Sequence, residues 1–318
     1  TVGIERLHAQ ITFTDIVLTV GRRGIFRSQI AEIPNPGVNA HRIGMLSELG
    51  HDLPERAGVS EVDARLQAIE DTPRLYRNWM LVPLVALACA SIAVLSNGGP
   101  REVIAVLPAS ALAYWLHRRL TGLMLNHLAT VLTSAAVASG LYVGFSRLID
   151  LIVGSSSPRT AAGFICASIF LIPGFPLVTA GLDLTRIDLE VGIPRLVYAG
   201  MVVLAITIGV WLVAGLAGVS PDPVPAFEGH PALVWSALIA ASFFAVFGWA
   251  TMFNSPLWVA VASGVVAVVG NAPRLVMLQS GVKPHVATFI SCFLIGLGCA
   301  LVARLFSMPK IIMTVPTV

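Results

Sequence analysis

From Trp79 onward the chain is a series of long apolar stretches parted by short polar ones. They lie at about 79–96, 102–116, 127–146, 160–180, 195–218, 232–252, 257–272 and 285–305, and a ninth begins near Ile311. About 20 apolar residues span the hydrocarbon core of a bilayer as one helix. In lipid a backbone that is not helical or closed into a barrel leaves polar groups unsatisfied. Each stretch therefore predicts a membrane-crossing helix. The second and seventh are short and predict helices that run on past the polar residues at their ends.

Before Trp79 the pattern changes. His8–Val20 mixes Ile11, Phe13, Ile16 and Leu18 with Thr12, Thr14 and Thr19, which predicts a strand with a break near Asp15. Gly21-Arg22-Arg23-Gly24 signals a turn, and Phe26–Ile33 suits the returning strand of a hairpin. Pro34-Asn35-Pro36-Gly37 then punctuates the chain, and Val38, Ile43, Leu46 and Leu49 have helical spacing. Ser60, three residues before Asp63, reads as a second helix start. The head is predicted to be a small α+β domain.

Composition sharpens the boundary. Only 12% of the 318 residues are charged, 56% are hydrophobic, and the mean hydropathy is +0.83. Ordinary soluble domains are about 25% charged. Residues 1–77 hold 19 of the 37 charged side chains. The expected organisation is a soluble domain over 1–77, a first membrane half over 78–218, an extracytoplasmic linker over 219–231 and a second half over 232–318. The net charge of +3 and the lack of a basic tract give no support to nucleic-acid binding. Cys89, Cys166, Cys292 and Cys299 sit inside apolar runs as core residues, and His8, His41 and His51 match no metal-ligand spacing. No cofactor motif occurs. The chain opens on Thr1 with no visible signal peptide and stops at Val318, so both ends read as cut.

Lys and Arg orient the helices. With the head inside, the inner ends carry Arg74, Arg77, Arg118, Arg119, Arg186, Arg195, Arg304 and Lys310, against Arg101, Arg147, Arg159, Arg274 and Lys283 outside. The chain also resembles itself. LSNGGP around Asn97 answers MFNSPL around Asn254, and NHLATVLTSAAVASGL around His127 answers PHVATFISCFLIGLGC around His285. The offsets are 157 residues for the asparagines and 158 for the histidines. Five crossings separate matched helices, so the halves would be inverted. Secondary transporters are often built this way, and channels can share the symmetry. The fold expected is a polytopic α-helical membrane protein of about ten helices in two inverted five-helix repeats, the last part lying beyond this chain.

Several residues could carry chemistry. Ile172-Pro173-Gly174-Phe175-Pro176 interrupts the fourth stretch, and two prolines and a glycine cannot continue a helix. A broken helix presents N–H groups to a substrate carboxylate; an ordinary proline kink is the other reading, though a double break is more than a kink needs. Thr179 and Asp183 follow. Asp183 could take a proton, pair with a substrate ammonium, or partner Arg186. Asn97 and Asn254 could cap helices or touch substrate. Arg274 could hold a carboxylate or snorkel. His127 and His285 could titrate, or be structural at the interface. Gly140 and Gly144 form GxxxG, a small-residue pattern for close helix packing.

These segments resemble the bacterial threonine/serine exporter family, including relatives made as two polypeptides. The likeness runs through TDIVLTV (14–20), GVNAHRI (37–43), YRNW (76–79), SNGGP (96–100), IPGFPLVTAGLDL (172–184), VGIPRL (191–196), ITIGV (206–210), GWATMFNSP (248–256), PRLVMLQSGV (273–282) and HVATF (285–289). The resemblance implies ion-driven export across the bacterial cytoplasmic membrane. Some relatives are linked to dicarboxylates, and Thr179 stands where the family often has Asn.

The leading expectation is a proton-driven exporter of small polar metabolites, threonine- or serine-like amino acids first and dicarboxylates second. Substrate would meet Pro173, Gly174, Phe175, Pro176, Thr179 and Asp183, together with Asn97, Asn254, Arg274 and the Val315-Pro316 region. Asp183, His127 and His285 are the proton-coupling candidates. The partners expected are a small-molecule substrate, the lipid bilayer and other copies of the chain. A passive channel is the alternative. A membrane enzyme lacks paired carboxylates, HExxH or a Ser-His set. A structural protein that recruits a partner through its head is the fourth reading.

Overall fold

The computed structural model describes residues 5–33, 37–54, 57–123, 125–219, 224–225, 229–306 and 309–317. Pro34-Asn35-Pro36 and the Val315 side chain, both singled out above, lie outside the described residues, as does most of the 219–231 linker. The chain forms two compact units. One joins residues 1–73 with 174–200, and the other joins 74–173 with 201–318.

The first unit begins with an antiparallel sheet ordered β1 (Arg6–Ile11), β2 (Asp15–Arg22) and β3 (Ile25–Glu32). The expected single strand over His8–Val20 is two strands. At Thr12–Asp15 the chain turns back on itself: the Thr12 N–H donates to Asp15 O at 2.8 Å, and Asp15 N–H returns a bond to Thr12 Oγ1 at 2.9 Å. The break in alternation was therefore a turn. Ile11 faces Ile16 and Leu7 faces Val20 across it. At the second turn Arg23 and Gly24 both take positive φ, 49° and 75°, the conformation that matches strand twist in a two-residue hairpin.

Helix α1 (Ala40–Asp52) starts at Asn39, whose side chain accepts from the Arg42 N–H at 3.2 Å. Helix α2 (Val59–Glu70) is preceded by Gly58 and not by Ser60, which lies inside it. Arg42 joins the two helices by donating to Thr72 O at 3.0 Å. Helix α7 (Gly174–Thr185) and α8 (Leu189–Ala217) as far as Gly200 complete this unit. Gln10 donates to Glu190 at 3.0 Å, and the Phe13 and Tyr198 rings lie 5.2 Å apart.

In the second unit, α3 (Asn78–Leu95), α4 (Pro100–Thr121), α5 (His127–Val153) and α6 (Thr160–Cys166) are followed by a 3-10 turn at Ile169–Leu171. After α8 come α9 (Pro231–Met252), α10 (Leu257–Gln279), α11 (Pro284–Leu305) and α12 (Lys310–Thr317). Each apolar stretch is thus helical, the fourth as two broken pieces, and the two short ones do run on. Helix α4 continues to Thr121 because its terminal charges find partners: the Arg118 and Arg119 guanidinium carbons lie 5.9 and 5.2 Å from the Tyr114 and Trp115 ring centres. Among the described residues six helices are long and apolar enough to cross a membrane. There are seven if Thr160–Leu171 and Gly174–Thr185 are one broken span. This is a multi-pass helical membrane protein.

The interior is packed with small residues. Ala88, Ala93, Ala105, Ala109, Ala113, Ala135 and Ala138 are fully buried. Apolar lipid gives helices no hydrophobic reason to associate, so close van der Waals fit decides the contacts. Helix α9 comes against α3 at Gly248, where a Cβ would sit 2.7 Å from Leu84 O and from Ala88 Cβ. The expected GxxxG contact is different. Nothing lies within 4 Å of a Cβ built at Gly140 or Gly144, so that pair makes no close helix packing among the described residues.

Two sets of helices share one packing order. Helices α3, α4 and α5 pack in sequence with α6 against all three, and α9, α10 and α11 pack in sequence with α12 against all three. Helices α3 and α9 meet each other.

Candidate functional site

The caps of α3 and α9 are alike in detail. Asn97 and Asn254 take left-handed φ of 66° and 60°. In each, the next N–H reaches back five residues: Gly98 N–H to Ala93 O at 2.8 Å, and Ser255 N–H to Ala250 O at 3.0 Å. Asparagine suits this position because its short polar side chain tolerates the left-handed well. The caps lie at opposite ends of the α3–α9 pair. Leu75 N–H, just before α3, donates to Asn254 Oδ1 at 2.9 Å, and Tyr76 O–H donates to Ser255 O at 2.9 Å. The start of α3 is therefore tied to the end of α9. Asn97 is exposed, whereas Asn254 is buried and its oxygen is committed to the chain before α3.

The fourth stretch is broken where the prolines predict. Ile172 is extended (φ −60°, ψ 127°) between the turn at Ile169–Leu171 and Pro173. Helix α7 restarts at Gly174 and carries Phe175, Pro176, Thr179 and Asp183. Thr179 is buried, and its hydroxyl donates to Phe175 O at 2.8 Å, so it is satisfied within its own helix. Asp183 pairs with Arg195 of α8, not with Arg186; both partners are about four-fifths buried, with 22% and 23% of their side chains exposed. The partner is nine residues beyond the expected one because α7 must first end. It ends through Ile187 at φ 63°, with Asp188 N–H donating to Asp183 O at 2.9 Å.

Arg274 belongs to a polar belt across α9, α10 and α11. Its Nε donates to Thr288 Oγ1 at 3.2 Å, and its Nη1 approaches Asn271 Oδ1 at 3.4 Å. Asn271 donates onward to Ser242 Oγ at 2.8 Å, and Ser291 donates to Gly270 O at 2.8 Å. Residue 117 stands 157 before Arg274, and there His117 Nδ1 contacts Ser134 Oγ of α5 at 3.1 Å. His127 opens α5 behind the cap Asn126, and His285 is exposed at the start of α11. Pro316 is buried in α12, whose Thr317 hydroxyl lies 3.1 Å from Cys299. Within the second unit, Arg274 therefore has built polar partners, while Asn97 and Asn254 lie at opposite ends.

Two groups were missed by the sequence reading. His117 carried a signal in its 157-residue relation to Arg274. Glu102 is 3% exposed; it accepts from Gly99 N–H at 2.8 Å and from Ser157 O–H at 2.5 Å. Its signal was local: a Glu at the third position of a helix opened by Pro100 supplies the carboxylate half of a capping box, accepting from the N-cap N–H of Gly99. Among the described residues no three His, Cys, Asp or Glu side chains gather as metal ligands.

Comparison with known proteins places these features. Residues 1–217 match the family described as "Putative threonine/serine exporter", and residues 238–318 match that described as "Threonine/Serine exporter, ThrE". A Klebsiella aerogenes protein named "Probable succinate transporter subunit YjjP" is 26% identical over 210 residues, 65% of this chain and 78% of that protein. The Escherichia coli K12 protein of the same name is 26% identical over 214 residues, 65% of this chain and 79% of its own length. No solved structure matches. With its apolar helices, broken fourth stretch and match over more than half its length, the chain belongs to the threonine/serine exporter family of membrane transporters.

Proposed function

We propose that this protein is a secondary exporter of small polar metabolites in the bacterial cytoplasmic membrane, built from two inverted halves of about five helices each. The observation that carries this reading is the pair of matched left-handed caps at Asn97 and Asn254, 157 residues apart and at opposite ends of α3 and α9. The repeated packing order of α3–α6 and α9–α12 supports it. Inverted repeats let one half rock against the other about a central site. In this reading the domain over 1–77 is cytoplasmic. Threonine- or serine-type amino acids are the first substrates, with export driven by the proton gradient.

The substrate-binding candidates are Gly174, Phe175, Pro176, Thr179 and Asp183 within the first unit and, taken separately, Pro173, Asn97, Asn254, Arg274 and Pro316 within the second. Arg274 has the chemistry for a carboxylate, since a guanidinium offers a planar fork of donors. Asp183, His127 and His285 are the proton-coupling candidates. Of these, Asp183 lies in an ion pair with Arg195.

A dicarboxylate exporter is the second reading, favoured by the relatives whose names state succinate transport. The test is efflux of labelled threonine, serine and succinate from loaded proteoliposomes, with and without an imposed proton gradient. Gradient-dependent uphill movement of one of them supports a secondary exporter and identifies its class. Equal leak of all three without a gradient overturns it in favour of a pore. If Asp183→Asn exports with an unchanged pH profile, coupling through Asp183 is wrong.

A further inference from the structure

The end of the bundle where α3 finishes and α4 begins holds a cavity that the substrate groups above do not use. It has a volume of about 940 Å³ and lies among the last turns of α5, the following loop, the start of α6 and the end of α8. Among the described residues its wall carries the cation Arg147 and the anion Asp150, three residues apart on α5. Residues at that spacing lie on one helix face. Around them are the hydroxyls of Ser146, Ser155, Ser156 and Thr160, and Leu151 adds an apolar side.

Neither charge is used up by the fold. Arg147 spends one donor on Ala217 O, at 2.9 Å, out of the five a guanidinium has. Asp150 meets Arg101 only at 3.9 Å, and Arg101 instead donates to Ser155 O at 2.9 Å. The wall itself is fixed. Glu102 holds Ser157 in the loop, and Tyr142 O–H donates to Thr160 O at 2.8 Å. Gly163 lets α6 lie under the Tyr142 ring, because a Cβ there would be 2.5 Å from it.

We propose that this cavity is a binding site for the zwitterionic head of a small α-amino acid. Arg147 takes the carboxylate, Asp150 takes the ammonium, and the hydroxyls receive a polar side chain. Arg147 beside Asp150 offers opposite charges to a group that carries both. A dicarboxylate fits badly, because its second carboxylate would meet Asp150. With the head cytoplasmic, this end faces outward, so the cavity would hold substrate as it leaves. The inference rests on the exporter reading for its choice of ligands.

The experiment uses the full chain in nanodiscs and proteoliposomes. It measures binding and uphill efflux of labelled threonine and succinate for wild type, Arg147→Gln and Asp150→Asn. A charge-assisted hydrogen bond lost should weaken binding by about tenfold or more. Arg147→Gln is expected to weaken both ligands. Asp150→Asn is expected to weaken threonine and leave succinate equal or stronger. That opposite movement separates a binding role from a structural one, since misfolding would lower both together. Asp150→Asn that leaves both ligands unchanged, or lowers both in step, overturns the proposal. Uphill export by wild type without threonine binding that depends on Asp150 also overturns it, and leaves the exporter reading standing. Asp150-dependent threonine binding without uphill export keeps the cavity and overturns the exporter. Neither binding nor export overturns both.

Discussion

Gly248→Ala should weaken the contact between α3 and α9 by an amount the geometry sets. The new methyl would lie 2.7 Å from both Leu84 O and Ala88 Cβ. Ordinary contact begins near 3.4 Å. One obstacle is backbone and the other is a methyl with no rotamer to change, so α9 must back away by roughly 1 Å, losing dispersion contacts along the seam. Overpacking of this kind costs about 1–3 kcal/mol, or about a five- to 150-fold shift in an unfolding equilibrium. Equilibrium unfolding in mixed micelles reads it, followed by tryptophan fluorescence, because Trp249 adjoins the site and Trp79 opens α3. Gly140→Ala and Gly144→Ala are the controls. Their added methyls meet nothing within 4 Å, and alanine favours a helix by about 1 kcal/mol over glycine, so they should be neutral or stabilising. Adding Ala88→Gly to Gly248→Ala removes one of the two clashes, and a double-mutant cycle should show partial recovery. Wild-type stability in Gly248→Ala, or a greater loss in Gly140→Ala, would refute the packing argument.

Ile187 is a β-branched residue at φ 63° and is 80% exposed, so Ile187→Gly should raise stability by about 1–2 kcal/mol, seen as a higher unfolding midpoint. Asp183→Asn and Arg195→Gln should each cost about 1–3 kcal/mol, and a double-mutant cycle should return a clear coupling energy, whereas additive losses would deny the pair. Tyr76→Phe and Asn254→Ala each remove one hydrogen bond at the α3–α9 junction and should cost about 0.5–1.5 kcal/mol. Burial pushes the Tyr76 phenol above its usual 10.0, so its contribution is fully present below pH 10 and is lost as pH rises through the higher folded value. Glu102→Ala leaves Gly99 N–H and Ser157 O–H without their acceptor and should cost about 2–3 kcal/mol, whereas Glu102→Gln should retain most of it.

The membrane helices were legible because lipid makes one demand of every segment: an apolar surface with an internally bonded backbone. That α4 runs on past its apolar stretch was legible as well, but where its charges go was not: Arg118 and Arg119 lie over the Tyr114 and Trp115 rings. In the head, alternation identified strands, but the Thr12–Asp15 turn appeared only as a fault in the pattern. At the site, residue types were legible and partners were not. Asp183 reaches Arg195 rather than Arg186 because the turn through Ile187 redirects the chain, and Glu102 meets Ser157 across 55 residues of sequence. Gly140 and Gly144 had the right spacing, but spacing does not say which side of a helix has a neighbour.

The seam at Gly248 also bears on how the molecule comes together. Its fit depends on a missing side chain meeting a bare carbonyl, and no covalent bond nearby enforces it. That fit, with the hydrogen bonds of Leu75 and Tyr76 to the end of α9, marks α3 as the partner of α9. A nick in the stretch between α8 and α9 would leave that surface untouched, so two fragments co-expressed from separate messages should find each other and copurify.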